Sequence, residues 1–325
     1  LGVSFSEKLI GQIQTKVNTS VSQRISLKSL NLLNYQSMKR IIVTGANKGI
    51  GLAIVRRLLS EFDETFLILA ARSKERSEQS VSMLLNENEE WQDRLITLKL
   101  DVEHDDSVAE ATEKIQSEFN GISEPIHCLI NNAGVGDSYL AMQRVLNVNS
   151  WGVQRVCDAF LPLISKRHGR IVNVTSASGP NFVEKCNATT KYILTNPNVT
   201  WSEIEVLMYE CLIKNVKEPG SISPYGLSKA CTNALTICLA RENKDLIVNS
   251  CSPGWIATDL TKNYVQSTGK KPEEIGMKTP FEGALSSVYL SMSENVGTGL
   301  YFGSDCLRSP LDRYRSPGTP AYVPE

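Results

Sequence analysis

The chain has 325 residues, of which 41% are hydrophobic, and its 34 basic and 35 acidic residues leave a formal net charge of −1. This length and composition are enough for one large core or two smaller ones, and they exclude a disordered chain. The balanced charge offers no basic face for nucleic acid, and no apolar run reaches the roughly 18 to 20 residues of a membrane span, so a soluble protein with a small-molecule partner is indicated.

The eight cysteines are scattered without a C-x-x-C pair, and the three histidines lie far apart in the sequence. This pattern indicates reduced thiols in a cytoplasmic enzyme. It predicts neither a disulfide framework nor a metal site.

Residues 1–37 hold a single acid and four bases among many small polar residues, and Met38 follows them. Two interpretations remain open: an acid-poor transit peptide, or upstream sequence outside the mature fold with Met38 as the natural start. Because the segment has only one arginine, the second is favoured. We expect one domain over 38–308 and a loose tail over 309–325, which contains four prolines.

The first predicted strand, turn and helix lie in the sequence RIIVTGANKGIG at residues 40–51. The apolar run 41–43 predicts a short strand, and an amphipathic helix begins near Gly51. Glycines at 45, 49 and 51 let the backbone bend and let a ligand approach, while the free N–H groups of a helix start attract an anion. The stretch predicts a phosphate site, although a helix that merely begins after a glycine-rich turn is the open alternative.

Apolar strands and helices then alternate along the chain. Strands are predicted at 66–71, 95–100, 126–130, 169–175, 246–249 and 299–302, and helices at 74–86, 105–119, 139–166, 225–241 and 282–292, the third helix interrupted near 149–152. This alternation is typical of an α/β fold with a doubly wound, seven-stranded parallel sheet of the Rossmann type. Polar or glycine-rich residues follow the strands, at the edge where ligands bind in such sheets.

Residues 181–223 do not follow this alternation of strands and helices. A helix is predicted from about Trp201 to Asn215, with Thr200 and Glu203 spaced as a capping box. The segment is interpreted as a helical insertion before the next helix, which begins at Tyr225.

Several short motifs occur in a fixed order. They are TGANKGIG at 44–51, NNAG at 131–134, Asn149, Ser176, YGLSK at 225–229, and Pro253, Gly254 and Thr258. This order resembles the short-chain dehydrogenase/reductase family, and within it the monomeric carbonyl reductases, over residues 38–307. The resemblance is specific because the motifs occur in the family's order. The Tyr-x-x-x-Lys pattern alone proves little, since it also occurs at Tyr35 and Lys39.

The resemblance implies a catalytic tetrad of Asn149, Ser176, Tyr225 and Lys229. Tyr225 and Lys229 are four residues apart, so they share one helix face. Carbonyl reduction needs a proton on oxygen, and lowering a phenol pKa from about 10 toward 7 takes on the order of 4 kcal/mol, which a nearby ammonium helps to supply. Ser176 would stabilise the substrate oxygen, with Thr175 or Ser178 as alternatives. Asn149 would hold a water for proton relay, or it is simply an asparagine tolerated at a kink.

Arg72 indicates the cofactor. It follows the second strand about 20 residues after the glycine turn, where a base accommodates the 2′-phosphate of NADP and an acid would bind the ribose of NAD. Lys48 adds a second cation, so NADPH/NADP+ is favoured. The resemblance implies cofactor contacts at Gly45, Asn47, Lys48, Gly49, Ile50, Gly51, Arg72, Asp101, Val102, Asn132, Gly134, Tyr225, Lys229, Pro253, Gly254, Ile256 and Thr258.

The leading hypothesis is an NADPH-dependent carbonyl reductase acting on aldehydes, ketones or quinones. Trp255 is expected to line the substrate pocket with Ser176 and Tyr225. The resemblance also implies a monomer, because in this family such an insertion covers the surface on which other members tetramerise. The alternatives are an NADPH-binding scaffold or redox sensor with little turnover, and an oxidising alcohol dehydrogenase.

Overall fold

The computed structural model describes residues 38–136 and 141–324, and the chain from Arg40 onward forms one compact unit. The predicted leader at 1–37 and the predicted helix start at residue 139 lie outside the described residues. Within the described part of the chain, no helix is both long enough and apolar enough to cross a membrane.

The described residues contain one eight-stranded sheet with the order β3-β2-β1-β4-β5-β6-β7-β8. Its strands are β1 (Lys39–Thr44), β2 (Thr65–Ala71), β3 (Leu95–Lys99), β4 (Cys128–Asn131), β5 (Arg170–Val174), β6 (Ile247–Cys251), β7 (Tyr301–Phe302) and β8 (Arg308–Ser309). The strands β1 to β7 are parallel, as predicted, and β8 adds an antiparallel edge. The prediction of seven strands missed β8 because Arg308–Ser309 contains no apolar residue, whereas the equally short β7 lies in an apolar run.

Helices flank both faces of this sheet. They are α1 (Gly49–Glu61), α2 (Lys74–Glu87), α3 (Asp105–Glu118), α4 (Met142–Leu146), α5 (Gly152–Phe160), α6 (Ser178–Glu184), α7 (Ala188–Thr195), α8 (Trp201–Lys217), α9 (Pro224–Glu242), α10 (Lys262–Thr268), α11 (Pro280–Gly283) and α12 (Leu285–Met292). Short 3₁₀ turns occupy Glu89–Arg94, Leu161–Leu163 and Pro272–Ile275. The predicted doubly wound α/β architecture is confirmed.

The strand order reverses between β1 and β4. The chain winds outward from β1 through β2 to β3 and then crosses to β4 on the other side of β1. Every residue of β2 is buried, as expected for a strand covered by helices on both faces. A reversal of this kind leaves a crevice at the carboxyl ends of the two central strands, where ligands bind in open α/β sheets.

Helix α9 is buried along nearly its whole length. Its start is fixed by Pro224 in the first turn and by Ser223, whose side chain accepts a hydrogen bond of 3.1 Å from the Gly226 N–H. The helix carries buried residues on all its faces, which is typical of a core helix. Tyr225 and Lys229 therefore project from a firmly held element.

The long helix predicted over 139–166 is divided in the structure. After α4, residues Asn147–Trp151 form a π-helix, α5 continues to Phe160, and a 3₁₀ turn containing Pro162 ends the segment. The proline lacks an N–H group and clashes with a continuing helix, which explains the early end. The interruption predicted near 149–152 coincides with the π-helix.

The insertion contains three helices, α6 to α8, and it begins slightly before residue 181. The capping box is formed, because the Glu203 N–H donates to Thr200 Oγ1 over 3.3 Å and the Thr200 N–H donates to Glu203 Oε2 over 2.8 Å. The helix predicted over 282–292 is also split, into α11 and α12. Helix α10 was not predicted.

The C-terminal tail differs from the loose segment that the prolines suggested. Ser309 belongs to β8, and the Arg315 side chain is only 7% exposed. Its guanidinium pairs with Asp305 and donates hydrogen bonds to Ser309 Oγ over 2.9 Å and to the Thr319 carbonyl over 2.7 Å. A guanidinium with this many acceptors attaches the segment to the domain.

Candidate functional site

A cleft with a volume of about 1080 Å³ lies at the carboxyl ends of the central strands. Many residues predicted for the site line it. They are Gly45, Asn47, Lys48, Gly49, Ile50, Gly51, Arg72, Asp101, Val102, Asn132, Gly134, Tyr225, Lys229, Pro253 and Thr258. The predicted residues outside the lining are Asn149, Ser176, Gly254, Trp255 and Ile256. The structure thus brings the glycine turn, the residues after β2 and β3 and the start of α9 together in one site.

The glycine turn packs closely against the end of β4. Gly45 has a φ of +64°, and a Cβ there would lie 2.9 Å from Ala133 Cα. A Cβ on Gly51 would lie 2.5 Å from Asn132 Nδ2. Any larger residue at these positions would separate the turn from the strand. The first N–H groups of α1 have no acceptor within their own helix, so the turn presents donors that suit a phosphate.

Tyr225 and Lys229 form the polar pair of the cleft. Lys229 is 5% exposed, and its Nζ donates a hydrogen bond of 2.9 Å to the Val174 carbonyl. The same nitrogen lies 5.6 Å from the centroid of the half-buried Tyr225 ring. Burial lowers the pKa of Lys229 from 10.5 to about 8. The ammonium of Lys229 therefore loses its proton more readily than that of an exposed lysine.

Asn149 lies in the π-helix and is completely buried. Its amide nitrogen donates to the Val135 carbonyl over 2.9 Å, and its Oδ1 accepts from the Val135 N–H over 2.9 Å. It also donates to Ser228 Oγ over 3.0 Å. A Cβ on Gly134 would lie 3.3 Å from Asn149 Oδ1 and 3.6 Å from Lys229 Nζ. Asn149 thus joins the NNAG loop to α9, and its predicted water relay stays a prediction.

The three hydroxyl groups after β5 differ in their partners. Thr175 is 2% exposed, and its Oγ1 donates to the Cys251 carbonyl over 3.2 Å. Ser176 and Ser178 are half-buried, with their Oγ atoms 3.3 Å apart, and the Ser178 N–H donates to Ser176 Oγ over 3.2 Å. Ser176 Oγ in turn donates to Ser178 Oγ, and of the three residues only Thr175 lines the cleft, so the substrate contact of Ser176, with Thr175 or Ser178 as alternatives, stays a prediction.

Both cations predicted for the cofactor phosphate lie close to carboxylates. Lys48 Nζ is 2.6 Å from Asp259 Oδ2, and this hydrogen bond lowers the pKa of Asp259. Arg72 Nη1 is 3.6 Å from Glu103 Oε1. The Lys48–Asp259 pair is exposed on both sides, and such pairs contribute about 0 to 1 kcal/mol to stability, whereas Glu103 is largely buried in its pair with Arg72. Lys48 can therefore exchange its partner for a phosphate with little loss of stability.

Trp255 does not line this cleft, and its predicted place in the substrate pocket stays a prediction. Its side chain is 44% exposed, and its ring packs at a tilt of 57° against Tyr264 with centroids 5.5 Å apart. Ile256 is buried at 3% exposure, beneath Gly283. The cleft wall is formed instead by Ala257, Leu260, Lys262, Asn263, Val265 and Gln266. Sequence reasoning did not predict a helix in this wall because α10 has no buried residues and hence no periodic pattern.

Comparison with known proteins gives consistent matches. The family model for short chain dehydrogenases matches residues 39–194. Carbonyl reductase (NADPH) 1 of Mus musculus is 30% identical over 269 residues, which cover 77% of this chain and 90% of that protein. The (+)-neomenthol dehydrogenase of Arabidopsis thaliana is 29% identical over 278 residues, covering 75% of this chain and 90% of that protein.

Solved structures agree with the sequence matches. Salutaridine reductase from Papaver somniferum superposes with a TM-score of 0.67 at 26% identity, covering 81% of this chain and 99% of that one. Together with the cleft and the ordered motifs, these matches show that the chain belongs to the short-chain dehydrogenase/reductase family and resembles its carbonyl reductases.

Proposed function

We propose that this protein is an NADPH-dependent carbonyl reductase that converts aldehydes, ketones or quinones to alcohols, with Tyr225 as the proton donor. The observation that carries the proposal is the pairing of Tyr225 with the buried Lys229 in the cleft that also contains the glycine turn and Arg72. The name of the mouse relative, a carbonyl reductase that uses NADPH, supports the same choice of cofactor and reaction.

The residues of the cleft fit a nicotinamide dinucleotide. The N–H groups at the start of α1 suit its diphosphate, and Gly45 and Gly51 keep side chains out of that space. Arg72 suits a 2′-phosphate, and the ammonium of Lys229 suits the ribose hydroxyls. When bound, the reduced nicotinamide would supply the hydride.

Tyr225 supplies the proton. As a carbonyl oxygen gains negative charge, the phenol hydroxyl transfers its proton to that oxygen, and the phenolate left behind is stabilised by Lys229. This electrostatic help is larger in a site that excludes water, and Lys229 is 5% exposed. A hydroxyl of Ser176 would donate a hydrogen bond to the same oxygen. Asn149 would keep the catalytic groups in position by holding the loop after β4 against α9.

The reaction is tested by supplying the purified protein with NADPH or NADH and a panel of quinones, isatin-like diketones, aldehydes and steroids. We expect consumption of NADPH with at least one class, and slower consumption with NADH, because Arg72 favours the extra phosphate. The absorbance of the reduced nicotinamide reports the rate. A protein that binds NADPH tightly and reduces none of these compounds would instead be a scaffold or redox sensor.

We also propose that the protein is a cytoplasmic monomer. The insertion supports the monomeric state, because α8 covers the π-helix: Trp151 Nε1 donates to Glu205 Oε1 over 2.9 Å, and the Trp151 ring lies 5.3 Å from that of Tyr209. Light scattering in dilute solution should give a mass near 35.9 kDa. A mass of two or four times that value would contradict the monomer.

A further inference from the structure

Three charged side chains meet beside the cleft. Arg72 follows β2, Glu103 follows β3, and Arg144 lies on α4, and all three line the cleft. The Glu103 side chain is only 13% exposed, whereas those of Arg72 and Arg144 are 55% and 45% exposed. A carboxylate is therefore held between two guanidinium groups, close to the cation that is proposed to bind the 2′-phosphate.

The two arginines contact Glu103 unequally. Arg144 makes a forked contact, with Nη2 3.0 Å from Oε1 and Nε 3.1 Å from Oε2. This hydrogen bonding raises the pKa of the Arg144 guanidinium. The approach of Arg72 Nη1 is longer, at 3.6 Å. A bidentate, charge-assisted pair is the stronger of the two, so Glu103 is bound mainly by Arg144.

The unequal contacts have an electrostatic consequence. With Arg144 present, the three side chains carry two positive charges and one negative charge, Asp101 is a further carboxylate that acts on Arg144, and Arg72 keeps an exposed guanidinium. Without Arg144, Glu103 would pair with Arg72 alone and would face any phosphate bound there. A free Glu103 carboxylate would repel a phosphate bound at Arg72, because both groups are negative. A Glu103 carboxylate that is paired with Arg144 repels the phosphate much less.

We propose that Arg144 is a specificity-determining residue, which neutralises Glu103 and so keeps Arg72 available for the 2′-phosphate of NADPH. This inference rests on the proposed use of NADPH. Arg144 acts through Glu103 and Arg72, so it is a positioning residue. A merely structural role, such as anchoring α4 to the loop after β3, would affect NADPH and NADH alike.

The test measures dissociation constants of NADPH and NADH by fluorescence titration, without any turnover. Arg144→Met should weaken NADPH about tenfold, equivalent to about 1.4 kcal/mol, and should change NADH by less than about twofold. Adding Glu103→Gln to Arg144→Met should restore most of the NADPH affinity, because the repelling carboxylate is then gone. Arg144→Lys should retain an intermediate affinity, since it keeps the charge and loses the fork.

Lys114→Met is the matched control, because it removes one positive charge from a pair with Glu118 on α3 outside the cleft lining. It should leave both constants unchanged. Arg72→Asp should weaken NADPH far more than NADH, which confirms that the assay reports the 2′-phosphate site.

The outcomes separate the two proposals. Equal weakening of NADPH and NADH by Arg144→Met, or no rescue by Glu103→Gln, would overturn the role of Arg144 and leave the cofactor assignment intact. A wild-type protein without preference for NADPH, or an Arg72→Asp variant that loses both cofactors equally, would overturn the cofactor assignment and the role of Arg144 with it.

Discussion

Replacing Tyr225 with phenylalanine should lower the turnover number about 10²- to 10⁴-fold, the range that general acid catalysis contributes. The phenol hydroxyl is the proton donor of the proposed reaction, and the remaining ring still packs near Lys229. NADPH binding should be largely retained, because the glycine turn and Arg72 are untouched. Turnover is measured with the best substrate of the carbonyl panel, and the NADPH dissociation constant by fluorescence titration.

Tyr192→Phe provides the matched control. Tyr192 is 66% exposed on α7 and does not line the cleft, so loss of its hydroxyl should leave turnover unchanged. A Tyr225→Phe variant with full turnover would remove Tyr225 from the catalytic role. The family and the fold would be unaffected by that result.

Replacing Lys229 with methionine should have two opposite effects. Turnover should fall by a factor similar to that of Tyr225→Phe, because the phenolate loses its ammonium partner. The free energy of unfolding at about pH 7 should rise by about 2 kcal/mol, since burying a charged lysine is unfavourable. This gain is what remains after loss of the hydrogen bond that Lys229 donates to the Val174 carbonyl.

The pH dependence of that gain follows from the pKa of Lys229. Burial lowers it from 10.5 to about 8 in the folded protein. Between these values the unfolded chain binds more protons than the folded protein, so the stability of the wild type rises with pH. The penalty of the buried charge is complete below about pH 8 and disappears toward pH 10.5. The advantage of Lys229→Met should therefore shrink across this window.

Denaturant unfolding at several pH values measures this effect. The exposed Lys244 provides the control, because Lys244→Met should change stability by little at any pH. A Lys229→Met variant that is less stable than the wild type at neutral pH, or equally active, would contradict the role assigned to this buried lysine.

Local motifs made much of the cleft predictable. The glycines at 45, 49 and 51 act through backbone conformation within one turn, and Arg72 and Asp101 follow strands whose carboxyl ends must meet at one edge of a parallel sheet. Glu103 could have been found by the same rule, since it follows β3 two residues after Asp101. These positions depend on nearby sequence and on topology.

Contacts between distant segments could not be predicted in this way. Arg144 is 41 residues from Glu103, and Lys48 is 211 residues from Asp259. Each pair depends on how two distant segments pack against each other, and hydrophobic periodicity carries no information about that packing. Trp255 shows the same limit, because no pattern in the sequence indicates its packing against Tyr264.

The proposed proton-transfer residues and the wall of the cleft that faces them lie on helices that differ in burial. Tyr225 and Lys229 stand on a helix embedded in the core, whereas the facing wall of the cleft includes α10, a seven-residue helix without a single buried residue. Changes along α10 can therefore reshape what the cavity accepts with little effect on folding. Diversification of substrate range within this scaffold would act there, while the proton-transfer apparatus stays fixed.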